Sequence, residues 1–141
     1  MKAVTFLKKL PAIIILITSV LLVDNVDAAG EEIVVRSQEV VSQFPDGIIF
    51  TISVESRSMI EDIRIFYKSD LTSTTSYGRV EFEASRSVEG SFFLNTGGGT
   101  GFIPAGSKFL YYYEVRDKAG NVRRTDEKEF VYLDPRFEWA L

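Results

Sequence analysis

The stretch Gly47-Ile48-Ile49-Phe50-Thr51-Ile52-Ser53-Val54-Glu55 sets Ile48, Phe50, Ile52 and Val54 on one side and Thr51, Ser53 and Glu55 on the other. Successive side chains of a strand point to opposite faces, so this period of two predicts a strand half-buried in a sheet. Phe44-Pro45-Asp46-Gly47, immediately before it, has the composition of a turn.

The same period recurs outward from this segment. Upstream, Ile33 to Val41 suggests an N-terminal strand. Downstream, Ile60 to Lys68 places Ile63, Ile65 and Tyr67 inward and Arg64 and Lys68 outward, and the Ser/Thr-rich loop Ser69 to Ser76 ends it. Val80, Phe82 and Ala84 alternate with Glu81, Glu83 and Ser85, predicting a third strand. Gly90 to Leu94, with Phe92 and Leu94 inward, predicts a fourth.

After the turn Pro104-Ala105-Gly106, Phe109, Tyr111, Tyr113 and Val115 alternate with Leu110, Tyr112, Glu114 and Arg116. Both faces are rich in aromatics, which suits a central strand whose outer face is partly covered by its neighbours. Asp117-Lys118-Ala119-Gly120-Asn121 reads as the connection to a last strand near Lys128 to Leu133, with Phe130 and Tyr132 on one face. No stretch keeps a helical period for three turns. The expectation is an all-β fold: an immunoglobulin-like or fibronectin III-like antiparallel sandwich of about seven strands.

The first 28 residues have the layout of a secretory signal that would form a short helix. Lys2, Lys8 and Lys9 precede the apolar run Leu10 to Val23, and Val26-Asp27-Ala28 offers a cleavage site. An uncleaved anchor is the alternative, but the run is short of the roughly 20 residues a spanning helix needs, and Pro11 sits at its start. The predicted organisation is residues 1–28 as signal peptide, 29–134 as sandwich and 135–141 as tail or linker stub. The protein is expected to be exported, extracellular or associated with the cell envelope, and to meet a membrane only if the signal stays uncleaved.

Removing 28 of 141 residues leaves 113, enough for one core. Three lysines and two aspartates (Asp24, Asp27) leave with the signal, so of 16 basic and 20 acidic side chains 13 and 18 remain, a net charge near −5. An acidic domain whose only adjacent basic pair is Arg123-Arg124 is not expected to bind nucleic acid. The absence of cysteine means that the core, not disulfides, must hold the fold. The absence of histidine removes histidine-based proteases, His-Glu-x-x-His zinc enzymes and most structural zinc sites.

Four features of the sequence bear on chemistry. Asn95-Thr96-Gly97-Gly98-Gly99-Thr100-Gly101 lacks the Gly-Lys-Ser/Thr ending of a phosphate loop and reads as a flexible turn. Glu81 and Glu83, two apart on the expected strand, would set their Cβ atoms on one face about 6.5–7 Å apart by strand rise, a spacing that carboxyl groups of an inverting glycosidase could use, but alternate acids also mark a solvated face. Asp117, Asn121 and Asp126 could offer oxygens to calcium without EF-hand spacing, whereas an aspartate opening a turn usually caps its own backbone. Of Tyr111, Tyr112 and Tyr113, alternation leaves only Tyr112 for a surface contact. No catalytic residue, metal or cofactor is expected.

The ordered set Phe44-Pro45-Asp46-Gly47-Ile48, Asn95-Thr96-Gly97-Gly98-Gly99, Phe102-Ile103-Pro104-Ala105-Gly106, Tyr111-Tyr112-Tyr113, Asp117-Lys118-Ala119-Gly120-Asn121 and Tyr132-Leu133-Asp134-Pro135-Arg136-Phe137-Glu138-Trp139 resembles the N-terminal immunoglobulin-like domain of exported bacterial peptidase MA-like proteins. The resemblance runs from about Val40 to Trp139. It implies that Asp134 to Trp139 leads toward a zinc-peptidase domain, whose histidines this chain lacks, so no catalytic residue carries over. Phe137 and Trp139 then link to a partner domain or fold back on the sandwich edge.

The function expected is a non-catalytic accessory or interaction module, with a protein or a separately encoded peptidase domain as partner. The alternative is a free-standing cell-surface binding module for polysaccharide or protein, using Tyr112 and the Gly-rich and Ser69 to Ser76 loops. That alternative requires a row of exposed aromatics, and a sheet face of only Lys, Glu, Ser and Thr would exclude it.

Overall fold

The structure is a computed structural model that describes residues 32–98 and 101–136. The signal segment and the end of the tail, with Phe137 and Trp139, lie outside the described residues. Among the described residues eight strands are formed: β1 (Ile33–Gln43), β2 (Gly47–Ser56), β3 (Ile60–Ser69), β4 (Ser76–Arg79), β5 (Ser87–Asn95), β6 (Lys108–Asp117), β7 (Val122–Arg124) and β8 (Lys128–Val131). They make a three-stranded sheet in the order β1-β2-β5 and a five-stranded sheet in the order β4-β3-β6-β7, with β8 also paired to β6. All pairings are antiparallel. The fold is an open antiparallel β-sandwich, as the alternation predicted.

The period-2 segments supply the core as expected. Ile48, Phe50, Ile52 and Val54 of β2 are fully buried, as are Ile63 and Ile65 of β3 and Tyr113 and Val115 of β6. Phe50 meets the edge of Tyr111 at 5.2 Å between centroids, and Tyr111 meets Tyr113 at 88°. Edge-to-face geometry of this kind places the positive rim of one ring against the negative face of the next.

Two strand expectations are corrected. The segment from Val80 to Ala84 is a crossover between sheets rather than a strand. The Val80 N–H donates to the Ile63 carbonyl, and one residue later Glu81 exchanges both backbone bonds with Ser91 of β5. A chain leaving one sheet edge for the other also turns alternate residues inward, so Val80 is buried and Phe82 half-buried while Ala84 is exposed. Gly90 makes the approach possible, since a Cβ there would lie 2.6 Å from Val80 Cγ1 and 2.8 Å from the Glu81 carbonyl.

The second correction concerns the last strand. β7 pairs with Glu114–Arg116 and β8 with Lys108–Tyr111, so the two form one edge broken near Thr125. Counted that way the sandwich has the expected seven strands. The turns Pro104–Gly106 and Asp117–Asn121 each use a glycine in the left-handed region, Gly106 at φ 92° and Gly120 at φ 88°.

Candidate functional site

The register of the five-stranded sheet lines up its outward residues in rows. Tyr77 of β4 pairs with Phe66 of β3, and Phe66 pairs with Tyr112 of β6. Beside them, Arg79 pairs with Arg64, Arg64 with Glu114, and Glu114 with Arg124 of β7. On the other side, Lys68 pairs with Leu110, and Leu110 with Glu129 of β8. An aromatic row therefore crosses three strands between flanking charged rows.

Phe66 and Tyr112 are stacked, with centroids 5.0 Å apart and planes 10° from parallel. Rings lying flat and side by side on the sheet could not come that close, so these stand upright and use the strand spacing as their stacking distance. The guanidinium of Arg124 sits 3.9 Å from the Tyr112 centroid. Because β3 and β7 flank β6 on opposite sides, Phe66 covers one face of Tyr112 and Arg124 the other. Tyr77 is tilted 37° against Phe66 at 6.0 Å and is 63% exposed.

Tyr112, the surface candidate of the sequence, is thus half-buried in a preformed stack. It offers its ring edge and hydroxyl outward rather than an open ring face. The sequence reading left out Phe66 and Tyr77. Phe66 sits at the outward parity of β3, between Arg64 and Lys68, which was the available signal. Tyr77 adjoins the expected loop, and nothing in its neighbourhood marks it.

The row continues into a cleft of about 570 Å³ lined by Lys68, Asp70, Leu71, Lys108, Leu110 and Glu129, with the Ser69 to Ser73 part of the expected loop as one wall. Asp70 anchors that wall, as its carboxylate accepts from the Lys108 N–H at 3.2 Å and its own N–H donates to the Lys108 carbonyl at 2.9 Å. Tyr112 and this loop therefore flank one surface. Gly99 and Thr100 lie outside the described residues, and the described part of the glycine cluster does not line this cleft. The Thr96 N–H donates to the Asp46 carbonyl, and a Cβ on Gly97 would lie 2.8 Å from the Pro45 carbonyl, so Gly97 permits close packing on the β1–β2 turn.

The remaining candidates are taken up locally. Glu81 and Glu83 are exposed and do not share a strand. Asp117 accepts from the Asn121 N–H at 3.0 Å, the Asn121 side-chain amide at 3.0 Å and the Ser56 hydroxyl at 2.7 Å. Burial pushes its carboxyl up, but these bonds from Asn121 and Ser56, with further backbone bonds, outweigh it and hold the group below the usual carboxylate range. Among the described residues no three His, Cys, Asp or Glu side chains gather as a metal site.

No family model matches the sequence, and no curated protein matches it. Solved structures do resemble the fold. Catalytically inactive OgpA from Akkermansia muciniphila, crystallised with an O-glycopeptide substrate, superposes with a TM-score of 0.51 at 11% identity, over 72% of this chain and 28% of that one. A bromine derivative of BhCBM56 gives 0.42 at 11% identity, over 69% of this chain and 97% of that one. This chain thus spans about a quarter of the OgpA structure, and that likeness is one of fold, a β-sandwich.

Proposed function

We propose that the chain is a non-catalytic, exported binding module whose ligand surface is the outer face of the five-stranded sheet. The observation that supports this reading is the row Tyr77–Phe66–Tyr112, continued by Arg124 and opening into the Leu110 cleft. Aromatic side chains gathered on a solvated sheet face, with polar groups around them, favour contact with a polysaccharide or protein. Nothing in the row supplies a nucleophile with a base beside it, so the module binds without reacting. Backbone chemical-shift mapping on the purified chain tests the reading. Perturbations should fall on Phe66, Tyr77, Leu110 and Tyr112, and shifts confined to the β1-β2-β5 face would exclude this surface.

The accessory reading rests on a different observation, the resemblance that ends in Phe137 and Trp139. In that reading the same sandwich holds a catalytic partner in place. Co-purification of the chain with a His-Glu-x-x-His protein, lost on changing Trp139→Ala but kept on changing Tyr77→Ala, would support it over the sheet-face reading.

A further inference from the structure

Charge on the sandwich is segregated by face. The outward residues of the five-stranded sheet include Arg64, Lys68, Arg79, Lys108, Arg116 and Arg124 against Asp62, Glu114 and Glu129. The outward residues of β1, β2 and β5 include Arg36 against Glu39, Glu55 and Glu89, with Arg36 paired to Glu55 at 2.6 Å. The chain as a whole is acidic, at −4. Its cations therefore gather on the face that carries the aromatic row. Asp62 offsets Arg64 at 2.7 Å and approaches Arg79 at 3.9 Å, while Lys68, Lys108, Arg116 and Arg124 form no ion pair among the described residues.

The stack decides what kind of ligand this face suits. A neutral sugar or a nucleic-acid base recognised by stacking needs an open ring face. Tyr112 has none, because Phe66 and Arg124 occupy both sides. Around Tyr112 what projects outward is a hydroxyl, ring edges and cations, spaced by strands about 4.8 Å apart. Tyr77, 63% exposed, is tilted against Phe66 and has the Arg64 guanidinium 6.0 Å from its centroid. Protein interfaces, in contrast, are depleted of charge at their centres. Here charged residues flank the aromatic row on both sides, and the exposed apolar side chains around it include Leu110 and Leu71 of the cleft and Val122 of β7.

Resting on the sheet-face reading above, we infer that the ligand is an acidic polysaccharide carrying carboxylate or sulfate groups. The chain lies over the upright stack. Lys68, Arg79 and Arg116 meet its anions, and the Tyr77 and Tyr112 hydroxyls bond its oxygens. Arg124 contributes charge while keeping its place on Tyr112.

Affinity electrophoresis of the purified chain at 0.15 M salt tests this, with polygalacturonate, dextran sulfate, neutral dextran and poly-L-glutamate as gel additives. One or both acidic polysaccharides should retard the chain, and neutral dextran should not. A Lys68→Gln/Arg79→Gln double variant should bind at least fivefold more weakly, whereas Arg57→Gln/Arg86→Gln, which removes the same charge elsewhere, should bind as the parent does. Raising salt to about 0.5 M should weaken retention, since exposed charges are screened. Retention by neutral dextran alone that Tyr77→Ala abolishes would overturn the acidic ligand and leave the binding surface standing. Stronger retention by poly-L-glutamate than by either polysaccharide would overturn it in favour of an acidic protein segment. Equal loss in both double variants, or no retention by any additive, would overturn it as well. Shift mapping then decides separately whether the face binds anything.

Discussion

Thr125 is hydrogen-bonded to Tyr113 twice, once with its backbone N–H to the Tyr113 carbonyl and once with its side-chain Oγ1, which accepts from the Tyr113 N–H at 2.9 Å. The hydroxyl stands in for the backbone carbonyl that a continuous edge strand would present, and so lets β7 and β8 serve one side of β6 across a break. Thr125→Val keeps the shape and removes the acceptor, leaving a buried N–H unpaired. Chemical denaturation should show a loss of about 1–3 kcal/mol, with Thr125→Ser close to the parent. Equal stability of the valine and serine variants would show that the N–H finds another partner.

This break also shows where sequence reading stopped. The alternations Ile48 to Val54 and Phe109 to Val115 were legible because each strand has one buried face, a local pattern. Thr125 was not, because its role depends on a residue twelve positions away. Val80 to Ala84 misled for a related reason, since a crossover edge also alternates between core and solvent. For the candidate surface, parity marks Tyr112 and Phe66 as outward but does not show that they meet. The row needed the register of β4 on β3 and β3 on β6, including the irregularity between Ile60 and Asp62, and register is a property of paired strands.

Two buried tyrosines should respond in opposite directions to loss of the hydroxyl. The Tyr113 hydroxyl is buried with no partner among the described residues, and burial first, with Tyr111 beside it, pushes its ionisation well above the usual range. Tyr113→Phe should leave stability unchanged or raise it by about 1 kcal/mol. The Tyr132 hydroxyl lies 2.6 Å from Thr96 Oγ1, which also reaches the Pro45 carbonyl at 3.2 Å. Tyr132→Phe should therefore destabilise by about 0.5–1.5 kcal/mol. Thermal melts of the two variants should fall on opposite sides of the parent or, for Tyr113→Phe, coincide with it.

Gly78 and Phe92 predict a packing defect that conservative substitution would create. A Cβ at Gly78 would come within 2.2 Å of the Phe92 ring, and that ring is itself held against Phe50 at 6.4 Å and Tyr67 at 5.9 Å. The ring cannot retreat without disturbing the core. Gly78→Ala should destabilise by about 1–3 kcal/mol although alanine is the smallest addition possible. If Gly78→Ala melted with the parent, Phe92 would have a second position available.

Asp117 predicts an acid limb. Its carboxyl is held below its unfolded value, so on acidification the unfolded chain takes up the proton first. The stabilisation is complete above about pH 4 and is lost as the pH falls through the folded value. Asp117→Asn should destabilise by about 1–3 kcal/mol at neutral pH, because donors from Ser56 and Asn121 lose a charged acceptor. The gap between variant and parent should narrow below about pH 4. A gap constant from pH 7 to pH 2 would show that shape rather than charge holds the turn.

The Tyr112 sandwich makes a prediction about preorganisation that is separable from binding. If Phe66 and Arg124 hold the ring upright, the three residues must be energetically coupled in the free chain. A double-mutant cycle of Phe66→Leu with Tyr112→Leu should give a coupling of about 0.5–1.5 kcal/mol, and Arg124→Gln with Tyr112→Leu about 0.5–1 kcal/mol for an exposed cation. Tyr112→Phe keeps the ring in place and removes only the outward hydroxyl, so its stability should lie within about 0.5 kcal/mol of the parent. Any loss of ligand in that variant then reports the hydroxyl alone. A coupling near zero in the first cycle would mean that the rings stand side by side without supporting each other. The ring of Tyr112 would then be free to tilt, and a face open to stacking would return to the surface.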